Sequence, residues 1–488
     1  MEKSMAKRRP NIIFIMLDTA RADYFRAYGG RLELPTIDRL SRKAVVYENA
    51  VSPATYTAPS HVSLFTGKRV ASVKVLMKDK LKNADVNTDP FLVKQKLIND
   101  GELTLAKKLS YLGYNTALFS NNPLVTRFTG IAEGFSYLSY TDSVAIASQK
   151  MKKLKVRATL KMVGNDAFRK RMLELSYLIS SFIPSSALDR LYLRLRERVS
   201  KAFADEAGYY SIDLGASPTN KLIGSYAKKI YPEGNFMFIN YMEAHEGYPT
   251  SLVTSDYVEQ DKWLYLSGIL DHSESLKYIL KARDMRMAYL DKQIGILLGT
   301  LKERGLLDNA VVVLAGDHGQ GFMEHGQMYH NMFPYSEIVH VPLIAAKFEG
   351  GKQANTQERI AEPISITALH DALLDIGFGR SDMLDGNVKR DKYVFSEHTG
   401  ITEVWDAYLL KLIRKKSKSA DAIYRAKLRQ NVFSTAVYSG KYKLIFYRNG
   451  KKPELYDLHE DPQETENIAD SNKAKVRELL SAGLSPTS

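Results

Sequence analysis

The residues of this chain best suited to act together chemically are a carboxylate at Asp18, a hydroxyl at Thr57 and an Asp-His pair at Asp317 and His318. Val311 to Gly319 reads VVVLAGDHG, a run of β-branched and apolar residues that delivers the Asp-His pair to the end of a buried strand. Ile12 to Leu17 (IIFIML) does the same for Asp18, so two hydrophobic strands far apart in sequence each end in a carboxylate. Carboxyl ends of strands are where open α/β sheets place their ligands. Thr57 opens the stretch TAPSHVSLFTG, which follows turn-rich sequence and leads into a helix-like run, a setting that exposes a nucleophile above a helix N-terminus. Each piece alone has an ordinary explanation, since aspartates after strands cap helices and Asp-His pairs occur in hydrogen-bonded loops. Together the three read as a metal-activated threonine nucleophile.

These groups need a sheet to hold them, and the chain is long enough to build one. It has 488 residues, 44% of them hydrophobic, which suffices for a large core. Strand-like runs near 12–17, 115–119, 236–241, 311–315 and 341–346 alternate with helix-like segments. That alternation predicts an α/β fold with a mostly parallel central sheet between helical layers. Shorter strand signals at Lys392 to Phe395 and Tyr442 to Phe446 predict a small C-terminal antiparallel sheet packed on it. The expected division is a catalytic domain over 1–390, carrying a basic helical insert at about 145–205, and a C-terminal subdomain over 391–488.

Wording as well as order carries a resemblance. Asp18 to Asp23 with Tyr28-Gly29, Pro59-Ser60 with Leu64 and Thr66-Gly67, and Leu103 to Phe119 are three of its segments. Asn240 to Pro249, Tyr289 to Asn309, Glu324-His325-Gly326 and Val341 to Ile344 continue it, and Gly440 to Ile445, Leu455 to Leu458, Asp461-Pro462 and Glu466-Asn467 end it. In these the chain resembles the sulfatase branch of the alkaline phosphatase superfamily, which implies that superfamily's three-layer sandwich. Tyr289 to Asn309 corresponds to the long helix before the Asp-His strand.

Departures from the pattern say what chemistry to expect. Sulfatases carry a formylglycine, made from cysteine or serine, where this chain has Thr57, and the chain contains no cysteine. Threonine is a secondary alcohol and is not a substrate for that modification. His61 stands in place of the family's basic residue, and Ser120-Asn121-Asn122-Pro123 replaces a run that carries a sulfate-gripping lysine. What remains resembles lipoteichoic acid synthases and phosphoethanolamine transferases. That resemblance implies one divalent metal held by Asp18, Thr57, Asp317 and His318, with Thr57 as nucleophile. Mixed carboxylate and imidazole ligation favours Mn²⁺ or Zn²⁺, with Ca²⁺ still compatible. It further implies His245 as the group that steadies or protonates the leaving oxygen, with His61 and Ser60 donating to the developing charge. Arg21, His325, His330 and Lys441 are further candidates for contact with substrate; an Arg21 so close to Asp23 is equally an ordinary ion pair.

Three readings follow from the sequence. The first is a hydrolase or transferase acting on phosphate esters through Thr57. The second is a hydrolase of sulfate esters that works without formylglycine, and the third a non-catalytic binding protein on the same fold. The substrate is a phosphate or sulfate ester, with glycan and lipid-linked alcohols both compatible.

Charge is uneven along the chain. From Lys150 to Lys201 there are fourteen Lys or Arg against four acids, a surplus of ten where the whole chain carries +14. Leu173, Tyr177, Leu178 and Phe182, then Leu188, Leu191, Leu193 and Leu195, recur there at roughly helical spacing, and a second basic cluster spans Lys411 to Arg429. A solvated helical face accounts for this as well as does peripheral contact with an anionic membrane. The membrane hypothesis predicts that the protein sediments with anionic vesicles at low salt and releases at high salt; failure to sediment at low salt would dispose of it. No nucleic-acid-binding motif accompanies the charge, so no nucleic-acid partner is predicted. The basic start MEKSMAKRRP leads straight into the Asp18 strand, and no apolar run reaches membrane-spanning length. The expected location is cytoplasmic, with peripheral contact at the inner face of the membrane.

Overall fold

A computed structural model describes residues 9–72, 98, 102–122, 124–126, 129–141, 212–245, 273–326, 328–330, 333–380, 383, 384, 386, 388, 391–398, 433–448 and 450–484. The basic insert at 145–205 and the cluster at 411–429 lie outside these residues.

Strand β1 (Asn11–Leu17) is buried along its whole length. Successive side chains of a strand point to opposite faces. Ile13, Ile15 and Leu17 accordingly enter one hydrophobic cluster, and Ile12, Phe14 and Met16 another. One buried strand thus serves two cores, which is why its sequence is continuously apolar rather than alternating.

Chain order continues with α1 (Pro35–Ser41), β2 (Val45–Tyr47), β3 (Ala50–Val51), α2 (Thr57–Thr66), α3 (Leu105–Tyr111), β4 (Asn115–Ser120), β5 (Tyr137–Tyr140), α4 (Ala216–Ala227) and β6 (Asn235–Tyr241). Next come α5 (Ser273–Glu303), β7 (Asn309–Gly316), β8 (Gly321–Phe322), β9 (Met328–Tyr329), α6 (Ser336–Val339), β10 (Leu343–Glu349), β11 (Lys352–Gln353), β12 (Glu358–Ile360), β13 (Ile364–Ser365) and α7 (Leu369–Gly377). The chain ends with β14 (Val394–His398), β15 (Ser434–Ser439), β16 (Tyr442–Tyr447), β17 (Glu454–Asp457) and α8 (Lys473–Leu484).

Among the described residues the main sheet runs β12-β2-β10-β7-β1-β6-β4-β5, with β11 added at β10. Pairings of β1 with β6 and β7, of β6 with β4, and of β4 with β5 are parallel, whereas β10 runs against both β7 and β2. The expected mostly parallel sheet is therefore present, with β10 as its reversed strand. Helices α1, α4 and α5 cover one face through residues such as Leu40, Ile223 and Leu297. Helices α2, α3 and α7 cover the other through Phe65, Leu109 and Leu373. The result is a three-layer sandwich.

Boundaries differ from expectation in three places. The long helix starts at Ser273 rather than near Tyr289, because Ile279, Ala282, Met287 and Leu290 extend its buried stripe upstream. It stops at Glu303, and Gly305 at φ +70° turns the chain toward β7. Strand β10 begins two residues later than expected and runs to Glu349, and β14 is shifted downstream to Val394–His398.

The small antiparallel sheet β14-β15-β16-β17 is also present. Val394, Ala436, Tyr438 and Ile445 on one face meet Val51, Ile338 and Val339 of the main body. The opposite face, through Val437, Leu444 and Leu455, is covered by Leu479 and Ala482 of α8.

Candidate active site and metal centre

The ends of β1, β7, β6 and β4 share one edge of the main sheet, and the chemistry gathers there. Asp18 follows β1, is fully buried, and its amide donates to Tyr241 O at the end of β6 at 2.9 Å. Its Oδ2 accepts from Asn122 Nδ2 at 2.5 Å, and Oδ1 has no partner. Asp317 Oδ1 accepts from the amides of Thr19 at 3.0 Å and His318 at 2.8 Å, while Oδ2 is left without a partner. Thr19 donates from a left-handed conformation at φ 59°, a strained choice for a β-branched residue.

His318 Nδ1 donates to Gly319 O at 2.8 Å, which directs the lone pair of Nε2 inward. Nε2 lies 3.2 Å from Thr57 Oγ1, 3.5 Å from Asp317 Oδ2 and 4.0 Å from Asp18 Oδ1. Only glycine fits at 319, since a Cβ there would sit 2.3 Å from Glu337 O. One oxygen of each aspartate and one imidazole nitrogen thus lie within 4.8 Å of one another, buried.

Buried unpaired carboxylate oxygens are costly unless something neutralises them. Burial, followed by the charge of Asp317, raises the Asp18 carboxyl, and burial pushes Asp317 up to about 6. His318 is pushed down to about 3, by burial first and then by His330, so it is a neutral donor atom. Two carboxylate oxygens and a neutral imidazole nitrogen, all aimed at one point, fit a divalent cation.

Thr57 is the first residue of α2, after a Tyr56 in extended conformation whose side chain makes no cap. Pro59 has no N–H and Ser60 N donates to Tyr56 O, so the helix begins with its dipole and the amides of Thr57 and Ala58 at the cluster end. Ser60 lies one turn on, but its hydroxyl donates to Asp317 O at 2.7 Å, joined there by Ser52. His61 Nδ1 donates to Thr57 O at 3.0 Å, and its Nε2 is buried without a partner beside Phe238. Burial keeps His61 neutral, and its N–H is already committed to the first turn of α2.

The remaining predicted residues divide into two groups. His330 reaches the cluster, its ring centroid 4.6 Å from that of His318, and His245 stands 5.2 Å from His330. Arg21, His325 and Lys441 are engaged elsewhere. Arg21 pairs with Asp23 at 2.6 Å and Glu324 at 2.7 Å, and donates to Gln320 O. His325 meets Glu337 at 2.9 Å and stacks on Tyr335; burial opposes its charge, but the Glu337 bond raises it to about 9. Lys441 is paired with Asp457 at the rim of the C-terminal sheet, and its neighbour Lys443 is fully buried against Glu464.

Asn122 is the residue that sequence reasoning missed. In the sequence it registers only as part of the stretch that lacks a lysine, although β4 leads it to the same sheet edge as Asp18. Its amide orients one Asp18 oxygen and so presents the other. Asn122→Ala is expected to weaken divalent-cation binding about 10- to 100-fold, read by calorimetric titration. An unchanged affinity would remove Asn122 from the site.

The family model described as Sulfatase matches residues 10–377. An N-acetylglucosamine-6-O-sulfatase of Bacteroides thetaiotaomicron is 22% identical over 521 residues, covering 94% of this chain and 83% of that one. Arylsulfatase K of Bos taurus is 29% identical over 200 residues, which is 40% of this chain but only 33% of that relative's length. The phosphonate monoester hydrolase of Agrobacterium radiobacter shares the fold with a TM-score of 0.62 at 17% identity, over 98% of this chain and 95% of that one. With three quarters of its length inside the family match, this chain belongs to the sulfatase family, ester hydrolases of the alkaline phosphatase-like superfamily.

Proposed function

We propose that this sulfatase-family protein is a metal-dependent hydrolase or transferase of phosphate esters with Thr57 as its nucleophile. The observation that carries the reading is Thr57 Oγ1 at the start of α2, 3.2 Å from His318 Nε2 and beside two partnerless aspartate oxygens. Asp18, Asp317 and His318 would hold the cation, with Thr57 Oγ1 as a further ligand. When bound, such a cation neutralises charge on the substrate and lowers the pKa of a ligated hydroxyl. Mn²⁺ and Zn²⁺ suit this donor set better than Ca²⁺.

In the proposed reaction Thr57 gives up its hydroxyl proton to solvent, and its Oγ forms a bond to phosphorus as the bond to the ester oxygen breaks. The departing oxygen takes its proton from His245, which flanks the cluster across His330. Amides at the start of α2 donate to the phosphoryl oxygens. Water or an acceptor alcohol, giving its proton to the now neutral His245, then attacks phosphorus as the bond to Thr57 Oγ breaks, and Thr57 Oγ takes up a proton from solvent.

A second reading, sulfate-ester hydrolysis without formylglycine, draws on the sulfatase named among the relatives. Sugar esters are the substrate class that name suggests. Paired aryl phosphate and aryl sulfate substrates separate the two readings. Turnover of the phosphate in excess of the sulfate is expected; turnover of the sulfate alone would reverse the assignment, and a chain inert to both that binds no cation would fit a binding protein. The charged stretch 150–201 is the proposed contact with an anionic surface. Among the described residues no helix is long and apolar enough to cross a membrane.

A further inference from the structure

The helix that carries Thr57 is gripped at both ends by two adjacent residues of the C-terminal sheet. We propose that Glu397 and His398 are positioning residues for Thr57, an inference that rests on the reading of Thr57 as nucleophile. Ahead of α2, the Glu397 amide donates to Pro53 O at 2.9 Å, and Ala54 forms a parallel bridge with Glu397. Thr55 Oγ1 lies 2.8 Å from His398 Nδ1, with both residues buried. Beyond α2, the Glu397 carboxylate accepts from Arg69 at 2.9 Å and from the Ala71 amide at 2.6 Å.

Alternation along β14 explains how one strand does both. Phe395 and Glu397 share a face, and the Arg69 guanidinium lies 3.7 Å over the Phe395 ring while also donating to Gly483 O of α8. His398 takes the opposite face and meets Thr55, two residues before the nucleophile.

An external grip is needed at this place. Tyr56 supplies no side-chain cap, and Thr57 occupies the first helical position, where fraying starts. Displacing a reacting hydroxyl by about 1 Å costs on the order of 100-fold in rate. The main body sets the cluster of Asp18, Asp317 and His318 and ties α2 to it through Ser60, and the C-terminal sheet adds its hold on the segments that flank α2.

The test uses the full chain with His398→Ala, His398→Asn, Glu397→Ala and Glu397→Gln. Two readouts are followed: hydrogen exchange of the segment 53–60 through its amides at 54–58 and 60, and single-turnover phosphorylation of Thr57 by an aryl phosphate alongside kcat and KM. His398→Ala and Glu397→Ala are each expected to raise exchange in 53–60 by about 10-fold or more, with β7 unaffected. In both, kcat and the rate of phosphorylation fall about 10- to 100-fold with little change in KM. His398→Asn and Glu397→Gln restore most of the rate, because a carboxamide can meet the Thr55 hydroxyl or the Ala71 amide. Alanine variants with unchanged exchange and rate would overturn the proposal, as would exchange that rises equally across the chain with no rescue. Should the unaltered protein form no Thr57 adduct, the nucleophile reading falls, and exchange in 53–60 still decides whether the grip exists.

Discussion

Thr57→Ala is expected to lower turnover of an aryl phosphate by about 10⁴-fold or more, and to remove the adduct of about 80 Da from the intact-protein mass spectrum. The argument is one of atoms: only an oxygen at that position faces both the cation ligands and the start of α2. Folding should survive, because the side chain of Thr57 makes a hydrogen-bond contact with His318 Nε2 that is worth about 1 kcal/mol. Thr57→Ser keeps an oxygen in place and should keep the adduct. Persistence of the adduct in Thr57→Ala would place the covalent chemistry on another residue. Retained turnover without any adduct would remove the nucleophile role altogether.

Stripping divalent ions is the second large effect. Chelation is expected to bring activity to background and to lower thermal stability, and cation at about 100 times its Kd should return about 2.7 kcal/mol. The pH dependence follows from Asp317. Burial holds its carboxyl at about 6, above the ordinary 3.8, so without cation the folded state binds this proton more tightly than the unfolded state does. Asp317 therefore stabilises the ion-free protein relatively at low pH, and about 3 kcal/mol of that is lost as pH rises from about 4 to about 6. Bound cation reverses the sign by favouring the carboxylate. The gain from cation is then largest at neutral pH and shrinks as pH falls below about 6. Melting curves with and without chelator at pH 5 and pH 7.5 test this; a chelator effect of equal size at both, or none, would argue against a cation at Asp18, Asp317 and His318.

Much of the sheet was legible because a strand buried on both faces must be apolar throughout, and such runs stand out. β1, β4, β6 and β7 all lie within two residues of their expected limits. The convergence of Asp18, Asp317 and His318 was legible for the same reason, as strand ends of one parallel sheet share an edge. Helix limits were less so: α5 begins well upstream because tertiary packing, not a local start signal, sets where it is buried.

What the sequence determined by itself was composition and period: which segments span the core, and that a chain without cysteine carries a threonine, Thr57, at the head of its Pro-Ser segment. Only the tertiary structure decided how the polar groups divide. Arg21, His325 and Lys441 carry the same functional groups as catalytic residues, yet Glu324, Glu337 and Asp457 hold them in ion pairs. Asn122, Glu397 and His398, which no local pattern singles out, were brought to Asp18 and to α2. Hydrophobic burial follows a short-range period that one segment reveals alone, whereas a hydrogen bond or ion pair is defined by two partners. Those partners lie 104 residues apart for Asn122 and Asp18 and 343 for Thr55 and His398, and only the folded chain brings them together.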